Sequence, residues 1–174
     1  MDPLVTAVIA FGFAVLFGTA AMTKLRDFER FRSALRNYAL FPSSLEPLVS
    51  VLIVFVEIVL AMGWLLGFYM APTAIASALL LGLYGAGMAT NLVRARSYID
   101  CGCGRAEQPL SWALVVRNAL YMTATLAVLI PANERTLGWF DMGLATFALL
   151  ILVLMERTAM ALLANMSQTA AWRT

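Results

Sequence analysis

Two cysteines, Cys101 and Cys103, are the only thiols of the 174-residue chain, and a single glycine separates them. The segment around them reads Tyr98-Ile99-Asp100-Cys101-Gly102-Cys103-Gly104-Arg105. A disulfide closing so small a ring is strained, and strained disulfides are the more oxidising and labile ones. Gly102 and Gly104 give the backbone freedom to open and close it. Arg105 favours the thiolate and Asp100 opposes it. Three uses fit this pair: a dithiol that exchanges with another protein, a structural clasp of its loop, or two ligands for a soft metal such as Cu(I). The chain has no histidine, so the two thiolates are an incomplete zinc site and no metal site is assigned. The commonest general base is missing for the same reason.

A second group of reactive types lies in apolar surroundings. Glu57 falls about 13 Å along its hydrophobic stretch and Arg117 about 10 Å along another, at 1.5 Å per residue. Both stretches enter from the same side, so the two opposite charges sit at similar depth. An unpaired charge in the bilayer costs at least ~2.5 kcal/mol, and a Glu57–Arg117 pair is the expected escape. Lys24, Asn91 and Asn118 belong to the same layer, with Glu156 and Arg157 late in the last apolar stretch. Such a layer serves either as a buried clamp between helices or as a functional site. A quinone headgroup or a proton path would need one, so the cofactor stays open with a quinone as one candidate.

These residues have to be positioned by membrane helices. Hydrophobic residues make up 62% of the chain and charged ones 13%, whereas a soluble domain carries about 25% charged residues. The expectation is an all-α integral membrane protein, one membrane domain over residues 1–174. It would be a bundle of about five transmembrane helices, a four-helix core plus one. The spans are expected at 3–23, 48–69, 72–93, 110–130 and 140–163, each near the ~20 residues that cross the hydrocarbon core. Pro72 marks the start of the third after a tight break at Met70-Ala71-Pro72, and Pro131 ends the fourth. Met1-Asp2-Pro3 lacks the positive start of a signal peptide, so the first span is read as retained. Gly63 and Gly67 form a GxxxG in the second span, and Gly82, Gly85 and Gly87 line the third; small residues let helices approach closely within the bundle.

Between the first two spans, residues 26–41 have another character. Phe28, Phe31, Leu35 and Tyr38 recur on one helical face, and Arg26, Glu29, Arg30 and Arg36 on the other. A basic amphipathic helix of this kind lies in the headgroup layer, as an orientation anchor or a docking surface. The cations concentrate on one side: Lys24, Arg26, Arg30, Arg32, Arg36, Arg94, Arg96 and Arg105, with Arg157 and Arg173, against Arg135 on the other. The positive-inside rule then puts that side, with the Cys-Gly-Cys loop, in the cytoplasm and the N-terminus in the periplasm of a bacterial inner membrane. A net charge of +2 does not imply nucleic acid; the lipid bilayer is the first partner.

The order of these features resembles a known family. Lys24-Leu25-Arg26-Asp27 closes the first span and Phe31-x-x-x-Leu35-x-x-Tyr38-x-Leu40-x-Pro42 follows. Then come Glu57, Asp100-Cys101-Gly102-Cys103-Gly104 and Arg117-Asn118. The pattern resembles the methylamine utilisation protein MauE family, membrane proteins related to DoxX-like ones, and covers nearly the whole chain. Many relatives of that family carry Cys-Gly-Cys-Phe-Gly, where this chain has Gly104 and Arg105 in the last two places. The resemblance implies a role in maturing the periplasmic enzyme methylamine dehydrogenase, whose small subunit carries many disulfides. It also implies a thioredoxin-like partner, MauD. On that reading Cys101 and Cys103 exchange disulfides while Lys24, Glu57 and Arg117 shape a buried site. The alternative is a non-enzymatic scaffold for the partner or the nascent subunit. A periplasmic substrate and a cytoplasmic cysteine loop are reconciled if the bundle carries reducing equivalents across the membrane, if the loop folds back into the bundle to reach a periplasmic partner, or if the charge rule fails for this chain.

Overall fold

Asp2 caps the first helix by accepting a hydrogen bond from the Leu4 amide at 2.8 Å, and Pro3 stands in its first turn. Nothing in Lys24-Leu25-Arg26 interrupts that helix, so α1 runs Pro3–Arg26 and ends only where Asp27 leaves helical geometry. The Asp27 side chain then accepts from the Arg30 amide and caps α2, Phe28–Tyr38. α3 is Glu46–Leu66, α4 Met70–Val93, α5 Trp112–Ala127 and α6 Trp139–Ala171. The computed structural model describes residues 2–40, 42, 44–67, 69–97, 99–101, 109–131, 136 and 138–171. Among them the only extended pairing is an isolated bridge between Asp100 and Pro109. The protein is an all-α membrane protein. Among the described residues four helices are long and apolar enough to cross a bilayer: α1, α3, α4 and α6 from Trp139 to Leu162.

α5 falls within the expected fourth span, 110–130, starting two residues later, with hydrogen-bonded turns continuing it from Ala127 to Ile130. α5 has 16 residues, about 24 Å at 1.5 Å per residue, short of the ~30 Å hydrocarbon core. Its start is delayed because the Leu110 amide donates to the Ile99 carbonyl at 3.1 Å and Pro109 bridges Asp100. Ser111, still extended, becomes the N-cap. The reversal expected at Met70-Ala71-Pro72 falls earlier. Gly67 takes a left-handed φ of 68° and ends α3, Tyr69 takes 53°, and α4 has begun by Met70.

α1 and α3 are antiparallel: Phe13 stacks on Trp64 at 5.5 Å while Lys24 reaches Glu57. α3 and α4 form a hairpin tied by Trp64 Nε1 donating to Ser77 Oγ at 2.9 Å. A Cβ on Gly63 would stand 2.9 Å from Thr73 Oγ1, so this crossing needs glycine. Of the GxxxG pair, then, Gly63 serves close packing and Gly67 serves the helix end. α5 lies along α4, with Asn118 against Gly85. These four helices form the core. Among the described residues α6 approaches only α1 by backbone proximity, and none of its described side chains is buried.

Two apolar clusters result. Phe13, Phe17, Leu60, Trp64, Leu80 and Leu81 fill one end. Tyr38, Met88, Ile99, Cys101, Leu110 and Leu114 fill the other. α2 belongs to the second, because Phe31, Ala34 and Tyr38 are buried against the bundle. Its apolar face is therefore turned toward the bundle, with Phe28 and Leu35 left partly exposed.

Candidate functional site

Between the two clusters lies a polar layer. On α1 the buried residues are Ala10, Phe13, Phe17, Ala21 and Lys24, one stripe at three- and four-residue spacing. Lys24 thus occupies a position that the helix dedicates to the interior. On α3 the stripe is Ser50, Val54, Glu57, Leu60 and Trp64, which buries Glu57 completely. Lys24 Nζ lies 2.6 Å from Glu57 Oε1, and the Tyr84 hydroxyl of α4 donates to the same oxygen at 2.7 Å. The ammonium also sits 5.3 Å from the centre of the Phe31 ring and 5.5 Å from that of Tyr84. Glu57 Oε2 is buried and has no hydrogen-bond partner among the described residues.

Arg117 is not the partner of Glu57. Its Nη1 donates to Met160 Sδ at 2.9 Å and lies 3.9 Å from Glu156 Oε1, both on α6. Its guanidinium lies 5.8 Å from the Tyr121 ring centre. Among the described residues α3 and α5 make no close backbone approach. Depth along two helices put Glu57 and Arg117 on one level, but their directions around the bundle differ. Asn118 is buried and donates to the Leu114 carbonyl at 2.8 Å, within its own helix. Asn91 is fully buried and donates to the Gly87 and Tyr38 carbonyls, both at 3.2 Å. The second of these bonds ties α4 to the end of α2.

Cys101 stands 8% exposed in the second apolar cluster. Its carbonyl accepts from the Tyr38 hydroxyl at 3.2 Å. One residue earlier, Asp100 Oδ2 accepts from Arg30 Nη2 at 2.8 Å. α2 therefore holds the start of the cysteine loop from two points a little over two turns apart. It is anchored in turn on α3, where Arg36 meets Glu46 through two hydrogen bonds of 2.8 and 3.2 Å and Arg32 Nε lies 3.2 Å from the same carboxylate. The bond to Glu46 and its charge push the Arg36 pKa up. The basic helix and the cysteine loop thus share one face. Cys103 and Arg105 lie outside the described residues, as do Arg135 and Arg173.

A cavity of about 1120 Å³ connects these features. Lys24, Glu57, Tyr84, Arg117, Asn118 and Cys101 all line it, so five of the seven residues singled out in the sequence face one space. Asn91 is not on its wall, although its neighbours Met88 and Thr90 are. Among the described residues no three His, Cys, Asp or Glu side chains gather as a metal site would require. Tyr84, Tyr38 and Asp100 were not singled out for these contacts. Tyr38 carried a signal, since it closes the apolar stripe of α2. Tyr84 carried none beyond a hydroxyl in an apolar span.

A family model described as Methylamine utilisation protein MauE matches residues 2–131, which covers α1 to α5. The chain is 36% identical to Methylamine utilization protein MauE of Paracoccus versutus over 162 residues, 91% of this chain and 87% of the relative. It is 36% identical to the protein of that name from Paracoccus denitrificans over 130 residues, 74% and 70% of the two chains. With that of Methylorubrum extorquens it shares 34% over 147 residues, 82% and 78%. No solved structure matches the chain.

Proposed function

The chain belongs to the methylamine utilisation protein MauE family, and on that premise we propose that it is a membrane thiol–disulfide component serving methylamine utilisation. Its client is the disulfide-rich small subunit of methylamine dehydrogenase, and a thioredoxin-fold protein of the MauD kind is its exchange partner. The observation that carries this reading is the position of Cys101. It sits on the wall of the cavity, in a loop fixed by Tyr38 and Arg30. A thiol held in place beside an enclosed polar layer suits exchange better than a thiol on a loose tether.

The exchange balances as follows. A thiolate of one protein attacks a disulfide sulfur of the other, which forms a mixed disulfide and releases one thiolate. The second thiolate of the attacking pair then displaces the partner. Two electrons have moved, leaving one dithiol oxidised and one disulfide reduced. The basic face formed by Arg26, Arg30, Arg32 and Arg36 is assigned to the cytoplasmic side of the inner membrane. The N-terminus is assigned to the periplasm. A cavity running from Cys101 to the mid-helix residue Glu57 gives the loop a path toward the bundle interior.

Trapping tests this reading. Cys103→Ser removes the resolving thiol, so the thioredoxin-fold partner is expected to accumulate on Cys101 as an adduct that a reductant releases. Maturation of the dehydrogenase is expected to fail while the protein stays in the membrane. A Cys101→Ser/Cys103→Ser protein that supports full maturation would show a scaffold and end the redox reading, since the chain holds no other thiol.

A further inference from the structure

The charged side chains on the cavity wall do not balance. Glu57 and Glu156 supply the negative charge, and Lys24, Arg26, Arg117 and Arg157 the positive. Both carboxylates are already engaged: Glu57 meets Lys24 at 2.6 Å, and Glu156 lies 3.9 Å from Arg117. Among the described residues Arg26 and Arg157 have no ion-pair partner, so the wall carries two cations in excess. Arg117 is itself poorly served. Its distance to Glu156 is beyond a hydrogen bond, and its one acceptor among the described residues is the Met160 sulfur, a weak one. Its side chain keeps 20% of its surface exposed, so part of it can be reached.

Arg26 is the last residue of α1, and Arg157 lies inside the apolar stretch of the neighbouring α6 that runs to Leu162. Both are exposed. On spanning helices exposed side chains face lipid, where a cation without an anion is costly. The anions at hand there are phospholipid headgroups, and basic pockets between spans recognise them. The rest of the wall suits an acyl chain. α1 packs along α3 and α4 along α5, and the cavity lies between these two pairs, lined by Leu16, Phe17, Val56 and Leu80. Leu52 of α3 and Leu79 and Leu83 of α4 also line it and are 54%, 65% and 69% exposed on the lipid-facing surface. A chain can therefore enter sideways from the bilayer. The volume exceeds the ~300–1,000 Å³ of common small-molecule pockets.

We propose that this cavity holds an anionic phospholipid, its phosphate meeting Arg26, Arg157 and the open side of Arg117, with an acyl chain between the two helix pairs. The site stands on the charge and shape of the cavity and does not depend on the exchange chemistry of Cys101. The test uses the purified full-length chain in a neutral detergent, with the unfolding midpoint followed against added lipid. Dioleoylphosphatidylglycerol should give a saturable rise. Dioleoylphosphatidylcholine has the same chains without net charge and should need about tenfold more, and inorganic phosphate at the same concentration should give no rise. Arg157→Gln and Arg26→Gln should each raise the half-maximal phosphatidylglycerol concentration about fivefold, measured against the variant's own lipid-free midpoint. Arg157→Lys keeps the charge and should restore most of the response. Arg94 is an exposed cation at the same end of α4 and is not on the cavity wall, so Arg94→Gln should respond like the parent. Equal responses to the two lipids would overturn charge recognition, and a rise with inorganic phosphate alone would reduce the site to an adventitious anion. Equal weakening by Arg157→Gln and Arg94→Gln, or by neither, would overturn the cavity as the place of binding.

Discussion

The Tyr38 hydroxyl donates to the Cys101 carbonyl at 3.2 Å, joining the basic amphipathic helix to the cysteine loop across 63 positions of sequence. With Arg30 on Asp100, this makes α2 the support of the loop. Tyr38→Phe removes one hydrogen bond, worth about 0.5–1.5 kcal/mol. In a Cys103→Ser background, alkylation of Cys101 by a membrane-permeant maleimide should accelerate several-fold on Tyr38→Phe. It should accelerate further when Arg30→Ala is added. A labelling rate that both changes leave untouched would mean that the loop is held elsewhere.

The Lys24–Glu57 pair should behave as a unit. Either Lys24→Met or Glu57→Gln leaves one polar or charged group buried alone, and breaking such a pair costs about 3–5 kcal/mol. The double change Lys24→Met/Glu57→Leu removes both charges and should recover most of the loss. Arg117→Met offers the contrast, because its partners are Met160 and Glu156. Combined with Glu57→Gln it should show no recovery at all. Unfolding midpoints of the five purified variants read this out, and additive losses in the first double variant would dissolve the pair.

Gly63→Ala places a methyl 2.9 Å from Thr73 Oγ1 and 3.0 Å from its Cγ2. Overpacking of that kind costs about 1–3 kcal/mol. Thr73→Ala removes both atoms and leaves the Thr73 Cβ position 3.6 Å away, an ordinary contact. The Gly63→Ala/Thr73→Ala protein should therefore be more stable than Gly63→Ala alone. A double variant no better than the single one would place the strain in α3 itself.

Much of this architecture was legible in residue types. Long apolar stretches give α1, α3, α4 and α6 because backbone groups in lipid must bond within their own helix. The stripe that ends in Lys24 also announces an interior cation, since Ala10, Phe13, Phe17 and Ala21 precede it on the same face. Its partner was not legible. Depth follows from counting residues, but the direction in which a side chain leaves the bundle axis depends on which helices are neighbours. That is why Glu57 met Lys24 and Tyr84 in place of Arg117. The start of α5 was hidden for a related reason. Leu110 looks apolar enough to open a span, yet its amide bonds to Ile99 while Pro109 bridges Asp100.

The lopsided attachment of α6 has a mechanical consequence. α1 is its one helical neighbour by backbone proximity, whereas α4 and α5 lie along each other over most of their length. Drawn out of a bilayer by a force on its C-terminus, the chain would give up α6 first and alone, as a short early event. Arg117 would lose Met160 and Glu156 in that moment, while Lys24, Glu57 and Tyr84 stayed joined. The hairpin of α4 and α5 would come out next as one piece, taking Tyr84 from Glu57 and leaving the Lys24–Glu57 pair between α1 and α3 for last.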